Sequence, residues 1–292
     1  MKPIKKVIIL GHSGFIGSSL ERFLINAGNR EIIGRSLPDI NLTDFNSASQ
    51  LISHFTDETC LILAAAVKRQ FGDTLGAFHQ NTTIVENVCK LLESNPIKRV
   101  IYFSSAAVYG EETENKNISE KTQVNPTSFY GINKFTSERL LAKTCIGNKI
   151  TSLVCIRPPL IYGPGDKART YGPSGFSASA KEGIPIILWG DGTELREFIF
   201  IDDVCRIVEH LIDASVEGEL NIVSGVRYCF ADIISILKEM VPGLEVNFRE
   251  RSKQKADNAF DPQKIKSVLP PEFQFTSLRE GISRLLNKRD NA

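Results

Sequence analysis

The chain has 292 residues, of which 42% are apolar and 24% charged. That composition supports a sizeable core and excludes disorder as the main state, and the length suits two domains or one elaborated α/β unit. With 35 Lys and Arg against 34 Asp and Glu, the formal net charge of +1 gives no excess to draw a nucleic acid or an anionic membrane surface.

The predicted elements alternate. Lys6–Leu10 is a short β-branched run that ends at a glycine. Residues 15–27 carry Phe15, Ile16, Leu20, Phe23, Leu24 and Ala27 at helical spacing, and Gly28 and Asn29 stop that helix. Residues 31–33 form a second strand, and 44–55 a helix with Asp44 near its start. The continuous apolar run 60–66 (CLILAAA) predicts a strand buried on both faces, and 99–104 (RVIYFS) another. Between them, 78–93 reads as a long helix with Val85, Val88, Leu91 and Leu92 on one face. Residues 128–145 are predicted helical and 150–156 strand. This order implies βαβ units and a parallel sheet with helices on both faces. After Arg157 the texture changes, and Pro158, Pro159, Gly163, Pro164 and Gly165 open a loop-rich stretch. The expected division is one domain of 1–157 plus about 198–224, and a smaller lobe of about 158–197 plus 225–292.

The six cysteines show no C-x-x-C spacing and read as reduced core residues. Four well-separated histidines offer no metal-ligand spacing, so no metal is expected. No apolar run approaches the ~18 residues of a transmembrane helix. Residues 1–10 lack the pattern of a signal peptide, so the expectation is a cytoplasmic protein with no membrane partner.

Two clusters carry chemistry. The first is Gly11-His12-Ser13-Gly14-Phe15-Ile16-Gly17, a G-x-x-G-x-x-G turn between the first strand and helix. Glycines there permit a tight turn, backbone approach to a pyrophosphate, and close helix packing, while helix amides face the anion. The second strand then ends Gly34-Arg35-Ser36, without the acid that would accept from a ribose hydroxyl. Arg35, helped by Ser36, suits a 2′-phosphate, which favours NADP(H) over NAD(H) and leaves NAD(H) open. The second cluster joins Ser104-Ser105 at the end of a buried strand to Tyr130-x-x-x-Lys134 on a helix. Residues four apart share a helical face, so a Lys134 ammonium can favour the Tyr130 phenolate. Tyr130 as acid/base and Ser105 as hydrogen-bond donor suit hydride transfer at a carbinol or ketone.

In order along the chain, GHSGFIG at 11–17, LAAA at 63–66, SSAAVYG at 104–110, YGINK at 130–134, IRPPLIYGPG at 156–165 and WGDGTELREFIFIDDV at 189–204 resemble the extended short-chain dehydrogenase/reductase family, in its nucleotide-sugar epimerase, dehydratase and reductase branch. The resemblance implies an α/β, Rossmann-like, doubly wound parallel sheet with a smaller, mostly C-terminal substrate lobe. It implies Ser105, Tyr130 and Lys134 as catalytic residues, with Lys134 also on the nicotinamide ribose. It places Asn41 and Leu42 by the adenine, Ala64, Ala65 and Ala66 along the cofactor cleft, and Pro158 near the nicotinamide. Ser105, Ala106, Tyr130, Trp189 and Arg196 would meet a nucleotide-diphosphate sugar, Arg196 at its diphosphate and Trp189 beside the base. Asn81 would help order the site, and helices 78–93 and 128–145 would pair in a homodimer. Asp202 and Asp203 read as helix caps, His79 as a capping or core histidine, and His12 as a solvent-facing neighbour of the pyrophosphate. Lys68, Lys167 and Arg169 would border the cleft.

The departures narrow the chemistry. Ala106 and Ala107 stand where the 4,6-dehydratases of the family carry Asp-Glu, and Ala107 where the fucose-synthase type carries a cysteine. Residues 163–177 contain no histidine. Neither dehydration nor carbon-acid epimerisation has its proton-transfer groups. An NADPH-dependent reductase of a 4-keto-6-deoxy sugar nucleotide is the favoured reading. A 4-epimerase with tightly held NAD is the alternative, and a non-catalytic dinucleotide binder the third.

Overall fold

Six parallel strands order one half of the molecule, in the spatial sequence Gly218–Asn221, Ser152–Arg157, Arg99–Phe103, Thr59–Leu63, Lys6–Leu10, Glu31–Arg35. The computed structural model describes residues 3–67, 72–112, 114–167, 169–251 and 254–287. The parallel sheet expected from the alternating pattern is present. Strand order reverses at Lys6–Leu10, flanked by the second and third strands, and such a switch point opens a crevice at the carboxyl ends of the strands. Thr59–Leu63 and Arg99–Phe103 are buried throughout, as their apolar runs require. Residues 64–66, expected to continue the third strand, leave the sheet after Leu63, and Ala64 N donates to Leu10 O at 3.0 Å.

Two helices depart from the expectation. Residues 44–55 split into the α-turn Phe45–Ala48 and the 3₁₀ stretch Ser49–His54. Ser49 and Ser53 hydroxyls donate to the carbonyls of Asn46 and Gln50, three residues back, and compete with α-helical bonding. The long helix begins earlier, at Leu75, where Thr74 Oγ1 accepts from Ala77 N at 3.2 Å.

The chain divides into two compact units. The first comprises Met1–Gly110, Gln123–Arg157 and Cys205–Asn221, the second Glu111–Thr122, Pro158–Val204 and Ile222–Ala292. Stretches 111–122, 198–204 and 222–224, assigned to the first domain on sequence grounds, group with the second unit. Strand pairing is the cause for the first two. Asn115–Ile118 pairs with Asn258–Phe260, and Phe198–Phe200 with Leu160–Tyr162. The remaining strands of the second unit pair Ile186–Trp189 with Val246–Arg249 and Leu195–Arg196 with Tyr228–Cys229. Its core buries Tyr162, Phe176, Phe198, Phe200 and Phe230 among aliphatic residues such as Leu188, Ile233 and Leu237. All six cysteines are free. Among the described residues no helix is long and apolar enough to cross a membrane.

Candidate active site

The glycine turn lies where the sequence placed it. Gly14 caps the helix Phe15–Ala27 without a side-chain bond, and the first intrahelical bond runs from Ser18 N to Gly14 O at 2.8 Å. The preceding amides, at Phe15, Ile16 and Gly17, are therefore available to an anion beside Ser13. A Cβ on Gly17 would meet Gly11 O at 2.1 Å, so only glycine permits this crossing of loop and helix. A dinucleotide pyrophosphate fits these residues.

The adenosine end differs in detail from the expectation. Arg35 is half-buried and donates Nη1 to Gly34 O at 2.8 Å, which leaves further N–H groups for a phosphate. The Ser36 hydroxyl meets His12 Nδ1 at 3.0 Å. His12 therefore joins the loop to the end of the second strand instead of facing solvent. Asn41 Oδ1 accepts from Thr43 N at 3.0 Å and Thr43 Oγ1 at 2.7 Å, closing a turn, and the buried Leu42 carbonyl accepts from Asn87 Nδ2 at 2.9 Å.

Tyr130 and Lys134 stand on the helix Phe129–Asn148. Ser128 caps it, accepting from Gly131 N at 3.0 Å, and the Asp73 carboxylate accepts from Tyr130 N at 2.9 Å and Phe129 N at 3.3 Å. Sequence reasoning missed Asp73, which lies in a loop with no motif of its own. The helix packs closely on the serine turn. A Cβ on Gly131 would come within 2.7 Å of Ala107 O. Ser105 opens that turn, its Oγ accepting from Ala107 N at 3.1 Å. Lys134 is buried and donates Nζ to Phe103 O at 2.6 Å, with Nζ 5.6 Å from the Tyr130 ring centroid and 5.0 Å from that of Tyr102. Burial lowers the Lys134 ammonium to about 8, against the charge of Glu138. Lysine and tyrosine thus sit together beneath the strand end that carries Ser105. Asn81 satisfies the backbone of Val67, accepting from its N–H at 2.6 Å and donating to its carbonyl at 3.1 Å.

The second unit holds its own cavity, of about 320 Å³, lined by Tyr171, Trp189, Glu194, Arg196, Phe230 and Arg251 among others. Arg196 Nη2 donates to Glu194 Oε1 at 2.7 Å and Arg251 Nη1 to Glu194 Oε2 at 3.1 Å, so one carboxylate spans two guanidiniums. Arg251 gave no sequence signal, since it ends a charged run without a motif. Trp189 is exposed, with the Arg249 guanidinium 5.9 Å from its ring.

Other expected residues take different roles. Arg169 pairs through both Nη atoms with Glu182, at 2.7 and 2.5 Å. Lys167 is exposed, and Lys68 lies outside the described residues. His79 is exposed in the second turn of its helix, its ring edge-on to Phe78, so it neither caps nor fills the core. Asp203 accepts from Thr276 N at 2.8 Å and Thr276 Oγ1 at 2.9 Å, and Asp202 from Arg284 at 3.0 Å. These acids tie down the C-terminal segment in addition to opening the helix Ile201–Asp213. Pro158 is buried as the first residue after the strand Ser152–Arg157. Among the described residues no group of His, Cys, Asp and Glu is arranged to hold a metal ion.

The chain is 28% identical to GDP-6-deoxy-D-talose 4-dehydrogenase of Aggregatibacter actinomycetemcomitans, over 97% of this chain and 98% of that one. It is 24% identical to GDP-L-fucose synthase of Escherichia coli (strain K12), over 81% of each. The structure of MoeE5 in complex with UDP-glucose and NAD superposes with a TM-score of 0.82 at 27% identity, covering 96% of this chain and 97% of that one. The model of the NAD dependent epimerase/dehydratase family matches residues 7–223, and the chain is an enzyme of that family.

Proposed function

We propose that the protein is an NADP(H)-dependent reductase that converts a 4-keto-6-deoxyhexose, carried on a nucleoside diphosphate, to its alcohol. The observation that carries this reading is the Lys134 ammonium buried 5.6 Å from the Tyr130 ring, next to a serine turn whose following residues are Ala106 and Ala107. Such a site can pass one proton to a carbonyl oxygen, and Ala106 and Ala107 add no second acid or base to the turn after Ser105. The name of one relative, a 4-dehydrogenase of a GDP-linked 6-deoxy sugar, describes the reverse of that reduction. Two relatives named for GDP-linked sugars favour guanosine diphosphate as the carrier.

In this reading Ser105 donates a hydrogen bond to the keto oxygen and Tyr130 delivers the proton. The nicotinamide, when bound, supplies the hydride. Lys134 lowers the cost of the phenolate left behind, and its fixed bond to Phe103 O keeps that charge in place. Arg35, with Ser36 beside it, receives the 2′-phosphate, and Arg196 the substrate diphosphate, with Trp189 beside the base. The enzyme acts in the cytoplasm as a homodimer, for which the exposed Phe129 and Ile132 of the active-site helix provide apolar surface.

The test is NADPH consumption by the purified protein with a GDP-linked 4-keto-6-deoxyhexose. Tyr130→Phe is expected to lower kcat by ~10²-fold or more. Arg35→Ala should reduce the preference for NADPH over NADH, and an unchanged ratio contradicts the NADP assignment. MoeE5 is described with NAD, and this keeps one other reading in view. Stoichiometric NAD on the purified protein, with no NADPH consumption, would identify a 4-epimerase.

A further inference from the structure

Behind the serine turn lies a buried charged network that the proposed reaction does not use. Glu138 and Arg157 have side chains 1% and 3% exposed. Arg157 donates Nε to Glu138 Oε1 at 2.8 Å and Nη2 to Oε2 at 2.6 Å, a two-pronged pair. The Ser104 hydroxyl donates to the same Oε1. Arg157 Nη1 donates to the Tyr109 hydroxyl oxygen at 2.9 Å, and Tyr109 donates to Asn221 Oδ1 at 2.8 Å. The network ties a helix, two strands, the residue that follows a third and the serine turn at one point.

Its members adjoin the candidate catalytic residues. Ser104 precedes Ser105, and Tyr109 ends the turn that Ser105 opens. Tyr130, Lys134 and Glu138 are spaced four apart and share one helical face. Buried ion pairs are poor stabilisers, since apolar residues of similar volume often do as well or better. A pair this fully hydrogen-bonded is better explained by what it fixes in place.

We propose that Glu138 is a positioning residue: it holds Ser104, and with it the strand end that presents Ser105, and it is the counter-charge to the Lys134 ammonium. The inference rests on the assignment of Ser105, Tyr130 and Lys134 above. Burial pulls the ammonium down to about 8, and Glu138 opposes that fall. Lys134 meets Tyr130 on its own helix and Tyr102 and the Phe103 carbonyl on the strand beside it, and the charge of Glu138, four residues further along the helix, acts on it. Around Glu138 stand Arg157, Ser104, Tyr102 and Cys155, with Glu219 lying 4.0 Å from Arg157.

The test reads Lys134 directly, by NMR titration of isotope-labelled lysine, with the signal assigned by Lys134→Met. In Glu138→Gln the midpoint is expected to fall by about one pH unit or more. The kcat–pH profile for NADPH consumption should move with it, and kcat at pH 8 should fall ~10-fold or more. Ser104→Ala removes the tie and keeps the charge. It is expected to lower kcat several-fold with the Lys134 midpoint unchanged. If Glu138→Gln does not fold, Glu138→Asp takes its place, with the midpoint kept near that of the wild type and kcat reduced. An unmoved midpoint in folded Glu138→Gln, or wild-type kcat in Ser104→Ala or Glu138→Asp, overturns the inference. Full turnover by Tyr130→Phe would instead overturn the assignment of the site, and the Lys134 titration would still judge Glu138.

Discussion

Each unit contains an arginine–glutamate arrangement, and the two are built for different ends. In the first unit, Arg157 and Glu138 are 3% and 1% exposed, and their polar atoms meet Ser104 and Tyr109. In the second, Arg196 and Glu194 are each 19% exposed and Arg251 is 20% exposed, along the wall of a cavity. A pair sealed from water cannot exchange partners without exposing a bare charge. A pair in partial contact with water can give up one carboxylate for another anion at modest cost. The first arrangement is therefore a fixed support and the second a replaceable contact.

Breaking the sealed pair gives the largest effect. Although burial works against its charge, the bonds and charge of Glu138 hold the Arg157 guanidinium above its ordinary value, so it does not escape by losing a proton. Arg157→Met strips the buried Glu138 carboxylate of its two-pronged partner, and should cost about 3–5 kcal/mol of stability by denaturant titration. Arg196→Met, in the second unit, gives up its bonds to Glu194 and to the Leu195 and Ala256 carbonyls beside water, and should cost less, about 1–2 kcal/mol. Equal losses in the two variants would erase the distinction.

A buried carboxyl in the second unit sharpens the point from the other side. Glu197 is 1% exposed, and its carboxylate bonds backbone and hydroxyl groups, with the charge of Arg227 a lesser influence. Its Oε1 accepts from Gly225 N at 2.9 Å and the Ser224 hydroxyl at 3.0 Å, while Oε2 is buried without a hydrogen-bond partner among the described residues. Burial raises this carboxyl from 4.5 to about 7, against those hydrogen bonds. The folded value lies above the unfolded one, so the fold favours the protonated form. Below about 4.5 both states are protonated and there is no penalty; the penalty grows as pH rises and is complete above about 7. Glu197 should thus weaken the fold by up to about 3 kcal/mol between pH 4.5 and 7. Unfolding free energies at pH 5 and 7.5 check this, because Glu197→Gln should lose that part of the pH dependence. An identical pH dependence in the variant contradicts it.

The same contrast explains what could be read from the sequence. The sheet was legible because Lys6–Leu10, Thr59–Leu63 and Arg99–Phe103 each bury a continuous run, and local composition reports that directly. The glycine turn and the four-residue spacing of Tyr130 and Lys134 are local as well. The second unit was less legible because strands such as Leu195–Arg196 and Asn258–Phe260 are two or three residues long and exist only through distant pairing. Arg157 marked only a boundary in the sequence, because its role depends on Glu138 in another element. Arg251 and Asp73 are invisible for the same reason.

The smallest expected effect tests exchangeability itself. Glu194 gives Oε1 to Arg196 and Oε2 to Arg251, and its Oε1 also accepts from Ala256 N at 3.3 Å. On the proposed function, an incoming diphosphate competes with this carboxylate for the same two guanidiniums and is repelled by its charge. Glu194→Gln keeps the shape and an acceptor oxygen but removes the charge. Binding of guanosine diphosphate, measured by calorimetry, should tighten about three- to tenfold, or roughly 1 kcal/mol. Arg196→Met should weaken the same binding by about tenfold or more. If Glu194 instead serves to hold the two arginines in place, both variants lose affinity, and the second arrangement would be a fixed support like the first.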